Sequence, residues 1–268
     1  MGIKIENLPV ANFMTPYPIT VEPEVSFETV VNFMAERGIG NLVVSKGEVP
    51  EGILTEREIL KTTVMWKDPY AKKVKDIGFQ SFIKITPDIN ILEAAQIMIS
   101  QKARLLVFAD DDKLVGIITA SDMVRAFRKT ELSPPLDEFV SKTIYQCSAN
   151  DTILDVSRLM YDKRIGSVII WDMEGYGIFT ERDLLVHVLA NKVDLNETVG
   201  AYSSAPLIVS EQDIPANKAA SIIAQNNIKR LGLIKEGRLV GIVTARDLVD
   251  SFQSYFKKSN PYLQEIQT

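Results

Sequence analysis

Four strings in this chain share one chemical pattern. They are Gly52-Ile-Leu-Thr55-Glu-Arg-Glu58, Gly116-Ile-Ile-Thr119-Ala-Ser-Asp122, Gly177-Ile-Phe-Thr180-Glu-Arg-Asp183 and Gly241-Ile-Val-Thr244-Ala-Arg-Asp247, with glycines 64, 61 and 64 residues apart. In each, a threonine closes an apolar run and an acid follows three residues later. A threonine at a helix N-cap brings a hydroxyl to a place where the first helical amides are unpaired and the helix end is partly positive. Such a start can hold a phosphate. A carboxylate one turn in can accept two hydrogen bonds from a ribose diol, as acids do in dinucleotide folds. Arg57, Arg182 and Arg246 stand immediately before the acid and could neutralise phosphate, and Ser121 takes that place in the second string. The same pattern is also a capping box, which needs no ligand. Capping accounts for the threonines fully. It accounts for the acids less well, because Glu or Gln is the better capping partner and three of the four are Asp. Glu58 is the exception and has the weakest claim to a ligand.

The elements that position these strings repeat with them. Upstream lie apolar sets at i, i+3, i+4, i+7: Phe27, Val30, Val31, Met34, then Ile91, Ala94, Ala95, Met98, then Ala216, Ala219, Ala220, Ile223. The third unit keeps Ile153, Val156 and Met160, with Ser157 breaking the pattern. This spacing predicts one face of an amphipathic helix. Ser26, Asn90 and Thr152 precede it as N-caps, whereas Pro215 in the fourth unit predicts a different helix start. A β-hairpin follows, and its second strand is the Gly-apolar-apolar-Thr run. A second helix begins at the threonine, and a brief strand opens each unit. Each unit is therefore β-α-β-β-α, an α+β design, in about 50–60 residues, too few to bury a comfortable core alone. Units are expected to pack in pairs. Pro134-Pro135 suits a boundary, which divides the chain into 1–132 (units about 12–60 and 73–127) and 133–268 (units about 136–189 and 199–252, with a short C-terminal tail beyond Phe256).

Composition trims the remaining chemistry. Apolar residues make up 46% and charged residues 24%, which excludes a disordered chain. The one cysteine, Cys147, rules out a disulfide framework within the chain, and with a single histidine, His187, a His/Cys zinc site is not expected. A nucleophilic triad would have to use His187, which reads as an ordinary helix residue. No apolar run reaches 18 residues and the start lacks a signal-peptide pattern, so a cytoplasmic protein without a membrane span is expected. The net charge of −5 argues against a broad nucleic-acid surface. A local patch of Trp66, Tyr70, Lys67, Lys72, Lys73 and Lys75 in the first connector nevertheless keeps a nucleic-acid reading open.

The β-α-β-β-α unit closed by Gly-apolar-x-Thr-x-x-Asp resembles the cystathionine-β-synthase (CBS) domain. Four copies over about residues 12–252 resemble two tandem CBS pairs, or Bateman modules, similar in layout to the γ subunit of the AMP-activated kinase. The resemblance implies pseudo-twofold pairs whose clefts bind AMP, ADP or ATP, with magnesium accompanying ATP where needed, or less often S-adenosylmethionine. It puts ribose on Asp122, Asp183 and Asp247, and phosphate near Thr55, Thr119, Thr180 and Thr244. It also implies a phosphate role for basic residues before the middle strand. Lys229 and Arg104 fall in one column, with Arg230 one place on; the matching Gly40-Asn41 and Gly166-Ser167 carry no charge. The expected function is a non-enzymatic sensor that signals to an effector protein or to further copies of itself. The rivals are a scaffold with empty clefts and a nucleic-acid-binding module.

Overall fold

The computed structural model describes residues 8–130, 132–172 and 175–259. A two-residue strand, β1 (Thr15–Pro16), precedes unit one. Unit one is β2 (Thr20–Val21), α1 (Phe27–Arg37), β3 (Asn41–Lys46), β4 (Val49–Thr55) and α2 (Glu56–Met65), and a short helix α3 (Val74–Ile77) lies in its connector. Unit two is β5 (Phe82–Ile85), α4 (Ile91–Ser100), β6 (Arg104–Phe108), β7 (Leu114–Ile118) and α5 (Ala120–Phe127). Unit three is β8 (Gln146–Ser148), α6 (Ile153–Asp162), β9 (Ser167–Asp172), β10 (Gly175–Thr180) and α7 (Glu181–Asp183), which runs on as a π-helix over Leu184–Leu189. Unit four is β11 (Val209–Glu211), α8 (Ala216–Gln225), β12 (Arg230–Lys235), β13 (Arg238–Thr244) and α9 (Ala245–Ser259). The tail expected beyond Phe256 is helical to Ser259 and thereafter lies outside the described residues.

The local rules hold unit by unit. The side chains of Ser26, Asn90 and Thr152 accept hydrogen bonds from the amides of Thr29, Glu93 and Asp155. Pro215 needs no replacement: α8 starts directly after it, with no side-chain cap. After each of these helices the chain turns through a left-handed residue, at Gly38, Lys102, Arg164 and Asn227. In three units the next amide closes back on the helix, from Ile39 to Met34, Ile165 to Met160 and Ile228 to Ile223. The brief strand then pairs parallel with the first hairpin strand, and the hairpin pairs antiparallel.

Contacts divide the chain into two bodies that interleave along the sequence. One holds Ile19–Ser81 and Ile144–Leu207, which are units one and three; the other holds 8–18, Phe82–Thr143 and 208–259, which are units two and four. In the first body the apolar faces of α1 and α6 are buried in one core with Leu184, Leu185 and Val188. In the second, the faces of α4 and α8 share a core in which Phe127 stacks on Phe252 at 4.5 Å between ring centres. The helix-face cores therefore join alternate units.

Within each body the connectors also cover the last strands of the repeats. The last strand of unit two is edged by β1, which precedes unit one, and the last strand of unit one is bridged at Ile53 by Gln80, which precedes unit two. Units three and four repeat the exchange, with Ser204 bridging Ile178 and Ser141 bridging Ile242. This crossing explains the glycine of the repeated string. A Cβ on Gly52 would lie 2.8 Å from the Gln80 carbonyl oxygen, and one on Gly241 would lie 2.5 Å from Val140. The crossing connector, through the Gln80 backbone and the Phe79 side chain at Gly52 and the Val140 side chain at Gly241, leaves no room for a side chain there.

Candidate functional site

The four threonine-led helix starts have one geometry. Each threonine donates its backbone N–H and its hydroxyl to the same oxygen of the acid three residues on. The two distances are 3.1 and 2.5 Å at Thr55–Glu58, 2.6 and 2.7 Å at Thr119–Asp122, 2.7 and 2.6 Å at Thr180–Asp183, and 2.8 and 2.7 Å at Thr244–Asp247. The hydroxyl oxygen in turn accepts an early helical amide, from Arg57, Asp183 and Asp247 in units one, three and four. The first amide of α2, α7 and α9 goes to the carbonyl of Gly40, Gly166 and Lys229. The threonines are thus engaged in complete capping boxes, and the early amides are largely satisfied within the chain.

What separates the units is the second oxygen of the acid. Glu58 is buried, and its other oxygen accepts from Gln80 Nε2 at 2.7 Å. Asp122 is buried and its other oxygen meets the Arg125 guanidinium one turn along the same helix. Asp183 is buried and accepts from the Ser204 hydroxyl at 2.7 Å, with His187 Nε2 3.8 Å away. Asp247 is only partly buried, and its second oxygen has no hydrogen-bond partner among the described residues. Desolvation holds the Asp247 carboxyl above its ordinary range, reinforced by Asp250 and opposed by its Thr244 bonds and by Arg230.

The arginines before the acids face another way. Arg57 donates to the carbonyls of Ile165 (2.8 Å) and Met160 (3.3 Å), at the C-terminal end of α6, and to Glu181 at 3.2 Å. Arg182 reciprocates with Glu56 at 3.0 Å. Arg246 donates to the carbonyl of Met98, near the end of α4. Each guanidinium therefore reaches the other unit of its own body, and Arg57 and Arg246 do so where carbonyls at a helix end attract cations. Ser121 is too short for that reach and makes no such contact among the described residues. An open depression of about 470 Å³ beside Arg57 is lined by Tyr161, Asp162 and Arg164, but the Arg57 guanidinium is already held by these carbonyls and by Glu181.

Strand register corrects the basic column. Arg230 lies across from Thr244 as Asn41 lies across from Thr55 and Ser167 from Thr180. Leu105 faces Ile118, which sets Arg104 opposite Thr119. Arg104 therefore matches Arg230, and Lys229 falls one place before, where its carbonyl receives the Ala245 amide. The sequence offset arose because unit two closes its helix end differently from unit four.

Other sequence candidates disperse. Tyr70 turns inward and donates to the Leu189 carbonyl at 2.7 Å, while Lys73 and Lys75 both pair with Glu24 and Lys72 covers Trp66. Lys72, Lys73 and Lys75 of the first connector are thus engaged in pairs within the chain. Cys147 is half-buried, with its thiol pushed up to about 11 by burial and by Asp151. Among the described residues no His, Cys, Asp and Glu cluster could hold a metal, and no helix is long and apolar enough to cross a membrane. Sequence reasoning missed Gln80, Ser204 and Arg125. Gln80 and Ser204 follow their acids by 22 and 21 residues, a recurrence visible only once the connectors are seen to cross.

Comparison with protein families finds the CBS domain four times, at residues 10–65, 74–129, 136–190 and 199–254. The uncharacterised protein MJ1404 of Methanocaldococcus jannaschii is 24% identical over 91% of this chain, which spans 61% of that relative's length. MJ1225 of the same organism is 27% identical over 67% of this chain and 71% of its own. The crystal structure of MJ1225, described as a candidate archaeal homologue of γ-AMPK, superposes with a TM-score of 0.76 at 18% identity, covering 91% of this chain and all of that one. A conserved protein of unknown character from Pyrococcus horikoshii gives 0.63 at 21% identity, covering 91% and 99%.

Proposed function

The chain belongs to the CBS-domain family, with four copies of the unit, and from that premise we propose that it is a non-catalytic regulatory sensor of adenine nucleotides. The observation that carries this reading is the end of unit four. Asp247 offers an open carboxylate oxygen at a helix start, with the Arg230 position directly across the strand pair from Thr244. An acceptor for a ribose diol beside a cation for phosphate is the minimum a nucleoside phosphate asks for. The MJ1225 structure, described as a candidate archaeal homologue of γ-AMPK, shares this fold.

The sequential pairs 1–132 and 133–268 form the two tandem modules in this reading, supported by the connectors that each pair exchanges. The site set is Asp122, Asp183 and Asp247 for ribose, with Arg104, Lys229 and Arg230 toward phosphate. Thr55, Thr119, Thr180, Thr244 and Glu58 act as caps that shape it, and Ser121, Arg57, Arg182 and Arg246 stand behind it. Magnesium would arrive as the counter-ion of ATP. Occupancy passes by a population shift to an effector protein or to another copy, inside the cytoplasm.

Calorimetry of the full chain with AMP, ADP, ATP and S-adenosylmethionine tests this. A nucleotide at 100 times its dissociation constant should add about 2.7 kcal/mol of stability, read as a rise in Tm. No heat and no shift with any of the four would leave the scaffold. Binding of RNA that weakens steeply with salt and ignores Asp247→Asn would favour the nucleic-acid module instead.

A further inference from the structure

We infer that the crossing connectors gate the ribose acceptors, and that the residue each connector lays beside the acid decides which unit takes a nucleotide first. This rests on the nucleotide reading above and deepens it. The position that bridges the last strand of each unit is Gln80 at Ile53, Ser204 at Ile178, Ser141 at Ile242 and Thr15 opposite Ile117. In units one and three that residue donates into the second carboxylate oxygen, at 2.7 Å in both cases. In unit four it does not. Ser141, the same residue type as Ser204, turns to the carbonyl of Thr143 at 3.3 Å. In unit two the second oxygen is taken by Arg125 from its own helix.

A ribose diol would need the oxygen that Gln80 and Ser204 already occupy. A ligand there must first displace a buried hydrogen bond to a charged acceptor, a cost it does not meet at Asp247. Burial follows the same order. Glu58, Asp122 and Asp183 are 7, 2 and 4% exposed, whereas Asp247 alone of the four acids is not buried. In units one, three and four the ranking therefore comes from the connectors and not from the threonine-led strings, which are almost alike; in unit two Arg125 of the same helix sets it.

Calorimetry with AMP on the full chain separates the outcomes. Expected is one dominant equivalent whose affinity drops at least tenfold in Asp247→Asn. Ser204→Ala should strengthen or add a second equivalent by about threefold or more, and Asp183→Asn in that background should remove the gain. Gln80→Ala should do the same for unit one to a smaller extent. Melting curves confirm that each variant folds. AMP binding that ignores Asp247→Asn, or that does not change in Ser204→Ala, overturns the gate while leaving the nucleotide reading intact. Absence of heat with the unaltered chain and with Ser204→Ala overturns both.

Discussion

Both bodies share an apolar core, but the body of units one and three adds charged ties between its threonine-led strings, whereas the body of units two and four has small residues there and a stacked ring pair. In the first, Arg57 meets Glu181 and Arg182 meets Glu56, a reciprocal cross between two Thr-Glu-Arg strings. In the second, the corresponding residues are Ala120 and Ala245, a single Arg246 reaches the Met98 carbonyl, and Phe127 lies flat against Phe252. The two variable positions inside the repeated string thus record which unit faces which. Glu-Arg meets Glu-Arg in the first body, and in the second the Arg of Ala-Arg turns to the Met98 carbonyl instead. A string that reads first as ligand chemistry is, at its middle, an address for packing.

The largest expected effect tests the apolar side of this contrast. Phe127→Ala or Phe252→Ala removes a fully buried ring and should cost about 3–5 kcal/mol in urea unfolding. The charged side should yield less. Arg57→Met should cost about 2 kcal/mol, because Glu181 and the α6 carbonyls lose a donor in a partly buried setting. Raising salt should shrink that difference while leaving the phenylalanine variants unmoved. Arg246→Met should cost about half as much, since only one carbonyl contact is lost.

Two smaller effects sharpen the comparison further. Ser157 sits fully buried in the first body with a hydroxyl that has no partner among the described residues. Ser157→Ala should therefore be neutral or stabilising by up to about 1 kcal/mol, read from the urea midpoint. Asp247 titrates above the ordinary carboxylate value of 3.8 in the folded chain. The folded state then holds its proton more tightly than the unfolded state. Its stabilising effect is complete below 3.8 and is lost as pH rises through the folded pKa. Tm of the unaltered chain should fall with pH across that window relative to Asp247→Asn, and adding a nucleotide should alter the slope.

Much of this was legible in the residues. The i, i+3, i+4, i+7 sets are the buried helix faces, and Ser26, Asn90 and Thr152 are the caps. Both follow from periodicity and hydrogen-bond need, which act over a few residues. Arg57 was harder: a guanidinium beside an acid suits phosphate and a helix end equally well, and only the packing of α6 decides where it goes. The acids were half readable. Thr-x-x-Asp announces the box, but the second oxygen depends on Gln80 and Ser204, which lie more than twenty residues away in segments with no periodic signal. The offset between Arg104 and Lys229 came from counting along loops of unequal length, where only strand register tells which residues oppose each other.

The exchange of edge segments has an evolutionary corollary. Met14 lies against Gly116, and Phe79 lies against Gly52, so neither repeat owns the covering that its final strand requires. A duplication, deletion or transplant that moved one repeat alone would strand that strand bare and leave its covering with nothing to cover. Lengthening or shortening such a chain without damage should therefore proceed two repeats at a time.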